Sequence, residues 1–212
     1  FGVEEVLRTG IQLASAVETA HRAGIVHRDI KPANVLISQY GAPGLTDFGI
    51  SAAHTGTDTN ESVGFSPAYA PREVLLDENP GDQLSDVYSL AATLWAMLEG
   101  HTPFERLNER NSHADITSRA LNTGVPALRR VVPQQLELLL RQAMSPNRAD
   151  RPRSAGSLGL ALREVEASLG YRPTNLPLPQ ERTAKAADTG EDATRIGRGV
   201  VVSPQAPTAP TS

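Results

Sequence analysis

Four residues in the first quarter of the chain could do chemistry together. Asp29, Lys31 and Asn34 lie within the string His27-Arg28-Asp29-Ile30-Lys31-Pro32-Ala33-Asn34, and Asp47 follows thirteen residues after Asn34, in Asp47-Phe48-Gly49. Phosphoryl transfer needs positioning and charge neutralisation more than covalent chemistry, so carboxylate, ammonium and amide groups converging on one phosphate are what it requires. Taken alone, Asp29 and Asn34 five apart in a loop are ordinary turn formers. The whole string in front of an apolar strand, with Asp-Phe-Gly at that distance, is far more specific.

These side chains need a frame. From Val3 to Ala20 the apolar positions Val3, Val6, Leu7, Leu13, Ala14 and Val17 recur at three- and four-residue steps, and Gly24 stands where a helix would stop. The polar loop His27 to Asn34 then leads into Val35-Leu36-Ile37, a short strand, with Gly41, Pro43 and Gly44 as a turn before Leu45. A loop flanked by two short paired strands would hold the four residues in place. Gly49 to Ser66 is poor in large apolar residues and reads as a long loop. Asp86 to Glu99 is apolar on nearly all sides, which predicts a helix buried in the middle of a domain, with Gly100 as its stop. Two further helices are expected over about 134–144 and 154–169.

The string around Asp29 and the Asp47-Phe48-Gly49 motif resemble the catalytic loop and metal-binding motif of bacterial, actinobacterial-type, eukaryotic-like Ser/Thr protein kinases. The resemblance runs from about Val3 to Leu169. It implies a mainly α fold, the larger C-terminal lobe of a protein kinase, with short β-hairpins around the catalytic loop. It also implies ATP and Mg2+ or Mn2+ as cofactors and protein substrates with Ser or Thr acceptors. Carried over by position, Asp29 accepts or orients the substrate hydroxyl proton, Lys31 meets the transferring phosphoryl group, and Asn34 and Asp47 hold the metal ions. His27 becomes a packed structural residue beside Phe48. Lys31, two positions after Asp29, matches the Ser/Thr rather than the tyrosine branch.

Downstream motifs agree. Ser66 to Glu73 resembles the substrate-binding end of the activation segment, and the resemblance gives Glu73 a buried ion-pair partner in Arg151. Asp86 matches the family's central-helix Asp, which takes backbone N–H groups of the catalytic loop. Arg28 before Asp29 implies control by phosphorylation, with Thr55, Thr57 and Thr59 as candidate acceptors. Departures from the pattern are Phe65 for Gly, Arg72 for Pro and Ala91 for Gly, with Ser66 where Thr is usual.

Residues 1–170 are thus expected to form a partial kinase domain lacking the N-terminal β lobe, since no Gly-rich phosphate loop, no strand bearing the phosphate-gripping Lys and no helix supplying its Glu partner can be read. Phe1 falls inside a helical pattern, which reads as a fragment's edge. The chain alone is expected to be inactive and to expose apolar area near His27 and Leu36. Residues 171–212, rich in Pro and Thr, read as a disordered tail or linker and a possible phosphopeptide ligand through Thr174, Thr183, Thr189 and Thr194.

The 212 residues carry a net charge of −4, which offers no general attraction to nucleic acid. The absence of Cys excludes thiolate chemistry and fits a reducing, cytoplasmic interior; the parent protein could still be membrane-anchored by a segment outside this chain, and could form a kinase homodimer. The rival reading is a pseudokinase-like docking module. Against it, Asp29, Lys31, Asn34 and Asp47 are all present.

Overall fold

A computed structural model describes residues 1–48 and 66–179. The first helix, α1 (Val3–Arg22), buries the face carrying Val6, Leu7, Ile11, Ala14 and Val17. Glu4 and Glu5 in its first turn and His21 and Arg22 in its last complement the helix dipole. It stops at Gly24, whose φ of +78° an L side chain would resist, while the Gly24 and Ile25 N–H groups close on His21 O and Ala20 O.

After the loop come β1 (Val35–Ile37) and β2 (Pro43–Leu45), paired antiparallel with Val35 opposite Leu45 and Ile37 opposite Pro43. Pro43 and Gly44, expected in the turn, are strand residues instead. Both strands of a two-stranded ladder are edges, so a missing Pro N–H is tolerated there. The turn itself is made by Gly41, at φ +76°, donating to Ser38 O. Of the apolar area expected near His27 and Leu36, Leu36, Ile37 and Tyr40 are exposed but His27 is fully buried.

The short α2 (Arg72–Leu75) precedes α3 (Gln83–Glu99), the axis of the molecule. Every residue of α3 from Ser85 to Leu98 is buried, and α1, α5 (Gln134–Ala143) and α6 (Ala155–Ser168) all pack against it. The Asp82 side chain caps α3 by accepting from the Leu84 and Ser85 N–H groups, and Gly100 at φ +86° ends it. Helix α4 (His113–Asn122) escaped the periodicity because Ile116 is its single buried residue; a reciprocal Ser112–Asp115 capping box starts it.

The packed unit runs from Phe1 to Pro179, nine residues beyond Gly170. Three contacts hold this extension down. Leu176 is buried against the α1–α6 seam, the Thr174 N–H and hydroxyl bond the buried Glu166 carboxylate, and Ser15 Oγ donates to Pro177 O at 2.5 Å. The seam itself depends on small residues. A Cβ added at Gly159 would lie 2.9 Å from Ala14 Cβ and 3.1 Å from Leu176 Cδ1. No described helix is long and apolar enough to cross a membrane.

Gly159→Val forces this seam apart, and the expected cost is about 2 kcal/mol, typical of overpacking. Urea denaturation followed by circular dichroism should show the lower midpoint; an unchanged midpoint would mean that α6 and the 171–179 extension move aside freely.

Candidate active site

Asp86 organises the loop that carries Asp29. The carboxylate is fully buried and takes three donors: Oδ2 accepts from the His27 N–H at 2.8 Å and lies 2.7 Å from His21 Nε2, and Oδ1 accepts from the Arg28 N–H at 2.8 Å. A buried charge is tolerable only when it is so satisfied. Arg28 holds a left-handed backbone, φ +68°, and its Nε donates to Gly81 O. A non-Gly residue at that φ is strained and persists only where its surroundings over-determine it, as the two Asp86 bonds do here.

His27 is the second pin. Its Nε2 donates to Thr46 O at 2.9 Å, so Nδ1 is the free acceptor and receives the Asp29 N–H at 3.4 Å. The ring packs on Phe48 at 4.5 Å between centroids. Thr46 is tied to Asn34 as well, its N–H donating to Asn34 O at 3.0 Å. One imidazole therefore joins the strand leading to Asp47 with the backbone of Asp29. Thr93 Oγ1 adds a bond to Ile30 O from the middle of α3.

Three of the four reactive side chains meet directly. Lys31 Nζ lies 2.7 Å from Asp29 Oδ2, and Asn34 Nδ2 donates to Asp29 O at 2.8 Å and to Asp29 Oδ2 at 3.0 Å. Lys31 Nζ also donates to Ser66 Oγ at 3.1 Å, which brings the first residue after the 49–65 segment onto the loop. Asp47, at φ +64°, has its carboxylate within 3.5 Å of Thr46 Oγ1 and no cationic partner among the described residues. Thr55, Thr57 and Thr59 lie outside the described residues.

The model of the protein kinase domain matches residues 2–158. The chain belongs to the protein kinase family. It is 41% identical over 179 residues to the serine/threonine-protein kinase PknK of Mycobacterium bovis, covering 84% of this chain and 16% of PknK. It is 38% identical over 167 residues to PknL of Mycobacterium tuberculosis, covering 76% of this chain and 40% of PknL. To PknH of Mycobacterium bovis it is 31% identical over 206 residues, covering 94% of this chain and 32% of PknH. The chain spans about one-sixth of the length of PknK.

In this kinase-family chain the end of the 66–73 segment is fixed by charge. Arg151 Nη1 and Nη2 grip the Glu73 carboxylate at 2.7 and 2.9 Å, both partners are buried, and the guanidinium sits 5.1 Å from the centre of the Tyr88 ring. Burial pushes the Glu73 carboxyl up, but the Arg151 hydrogen bonds and the charges of Arg151 and Arg148 outweigh it and hold the group below its ordinary 4.5.

Three residues of this frame were not singled out in the sequence. His21 gives Asp86 its third donor; the available signal was a polar residue on the buried stripe of α1. Asp82 caps α3, which leaves Asp86 free for the loop; an Asp just before an apolar helix is a cap signal. Arg148 joins Arg151 at Glu73, a contact no local pattern announces.

Glu73→Gln should destabilise the fold at pH 7 by about 3–5 kcal/mol, because it strands the buried Arg151. A carboxyl with a depressed folded-state pKa contributes stability above its unfolded value and loses it as pH falls through the folded one. The gap between wild type and Glu73→Gln should therefore close as pH drops below about 4.5. Thermal unfolding across pH 3–7 checks this, and a pH-independent gap would assign the cost to packing.

Proposed function

We propose that the protein carrying this chain transfers the γ-phosphoryl group of ATP to Ser and Thr hydroxyls of proteins, and that residues 1–170 contribute the larger lobe of its kinase domain. The observation that carries this reading is the Asp29, Lys31 and Asn34 cluster with the Ser66 hydroxyl on Lys31.

In the reaction, Asp29 Oδ orients the substrate hydroxyl and accepts its proton as the hydroxyl oxygen bonds the γ-phosphorus and the bond to ADP breaks. Lys31 Nζ, already between Asp29 and Ser66, places positive charge where negative charge grows on the phosphoryl oxygens. The family uses ATP with Mg2+, and the donor set here suits a hard cation. Asn34 directs its amide hydrogens at Asp29, leaving Oδ1 without a donor among the described residues, and the Asp47 carboxylate has no cationic partner among them. Mg2+ bound by Asn34 and Asp47 would neutralise the ATP phosphates. Arg28, held to Gly81 O, is the group that a phosphate on Thr55, Thr57 or Thr59 would engage.

In the whole protein, Asp29→Asn should lower phosphorylation of a Ser/Thr peptide by about 10²- to 10⁴-fold without changing the fold. Transfer of labelled γ-phosphate measures it, and equal labelling by wild type and variant would refute the role. The 212-residue chain by itself is expected to transfer nothing detectable in the same assay; labelling by the pure chain would show that these residues suffice.

A further inference from the structure

Glu73 and Asp82 approach one another closely enough that a single hydroxyl serves both. Ser85 Oγ is 3.3 Å from Glu73 Oε1 and 3.4 Å from Asp82 Oδ1. Two carboxylates converging on one donor repel, and Arg151 does not resolve this, since it is committed to Glu73, Ser145 O and Leu84 O. The cation that reaches both is Arg148, with Nη1 3.0 Å from Glu73 Oε1 and Nη2 on Asp82 Oδ2. Asp82 is held further by Asn79 Nδ2, and Asn79 Oδ1 accepts from the N–H of Gly81, whose carbonyl holds Arg28.

We infer that Arg148 is a positioning residue for the protein substrate, clamping the end of the 66–73 segment to the start of α3 so that Ser66 stays on Lys31. The inference rests on the kinase reading above. With Arg148 gone, Glu73 remains paired to Arg151, but Asp82 faces it unneutralised and the distance between segment and helix is no longer set. Asp29, Asn34 and Asp47 are held separately, through Asp86 and the Thr46 bonds to His27 and Asn34, and Lys31 keeps its partner Asp29 at 2.7 Å when Ser66 shifts. The disturbance therefore falls on the peptide and not on the nucleotide. Burial pushes the Asp82 carboxyl up, but the bond and charge of Arg148 together with the Ser85 N–H and Asn79 bonds outweigh it and hold the group below its ordinary value, while the bond to Asp82 raises the Arg148 guanidinium.

The test is steady-state kinetics on the whole protein with a Ser/Thr peptide. Arg148→Met should raise the peptide KM on the order of tenfold, with kcat and the ATP KM within about twofold of wild type. Arg148→Lys, which keeps the charge but loses the two-pronged geometry, should recover part of the loss. Asp82→Asn keeps a capping oxygen but loses the charged anchor that ties Arg148 to α3, so the clamp opens from the helix side and the peptide KM should shift in the same direction even where Arg148→Met fails to fold. A lower melting temperature with the peptide KM unmoved in both Arg148→Met and Asp82→Asn would overturn the inference and leave Arg148 a structural residue. An inert wild-type protein would overturn the kinase reading and this inference with it; an active wild type with unmoved peptide KM overturns this inference alone.

Discussion

Everything near the reactive side chains depends on one buried carboxylate. Asp86 sits in the first turn of α3, fully out of solvent, and its carboxylate is met by three donors from two places: the end of α1 through His21, and the loop through the His27 and Arg28 N–H groups. That arrangement demands that α1 and α3 be packed in a fixed register, which their buried apolar faces supply, and that Arg28 accept a left-handed backbone. The reactive geometry of Asp29, Lys31 and Asn34 follows from that bend. Local propensity alone would not choose it.

A second constraint acts at the other side of the site, where Glu73 is fixed by two arginines from the loop before α6. The sites are built differently. The Asp86 site satisfies an anion mostly with N–H groups of the backbone, which leaves few ways to move. The Glu73 site uses long side chains, one buried and one a third exposed, between separate segments. Asp29 and its neighbours in the loop are thereby tied to the rigid centre, and the 66–73 segment hangs from a charge network that can be adjusted residue by residue. Arg148 and Asp82 are the exposed half of that network.

Much of this was legible in the sequence, for different reasons in different places. The loop from His27 to Asn34 and the Asp47 motif could be read because the chemistry leaves little freedom in residue type. Helix α3 could be read because it is apolar on every side. The pairing of Glu73 with Arg151 spans 78 positions and was available through family resemblance, not through any local pattern. Helix α4 lacked a buried stripe and was announced only by its Ser112–Asp115 cap. Residues 171–179 read as linker because Pro interrupts them, yet Leu176 joins Ala14 in filling the space that Gly159 leaves open. Arg148 was illegible because an Arg in a polar connection is unremarkable until the fold brings two carboxylates to it.

The central claim is that the loop pinned by Asp86 and the strand pinned by His27 form one site for a metal-bound nucleotide. Hydrogen exchange read by mass spectrometry, on the whole protein with and without Mg2+ and ATP, tests it most directly. The account predicts that exchange slows in peptides covering residues 27–36 and 45–48 only when both are present, and that Asp47→Asn loses the effect. Unchanged exchange in those peptides, or equal protection by ATP without a divalent cation, would contradict it.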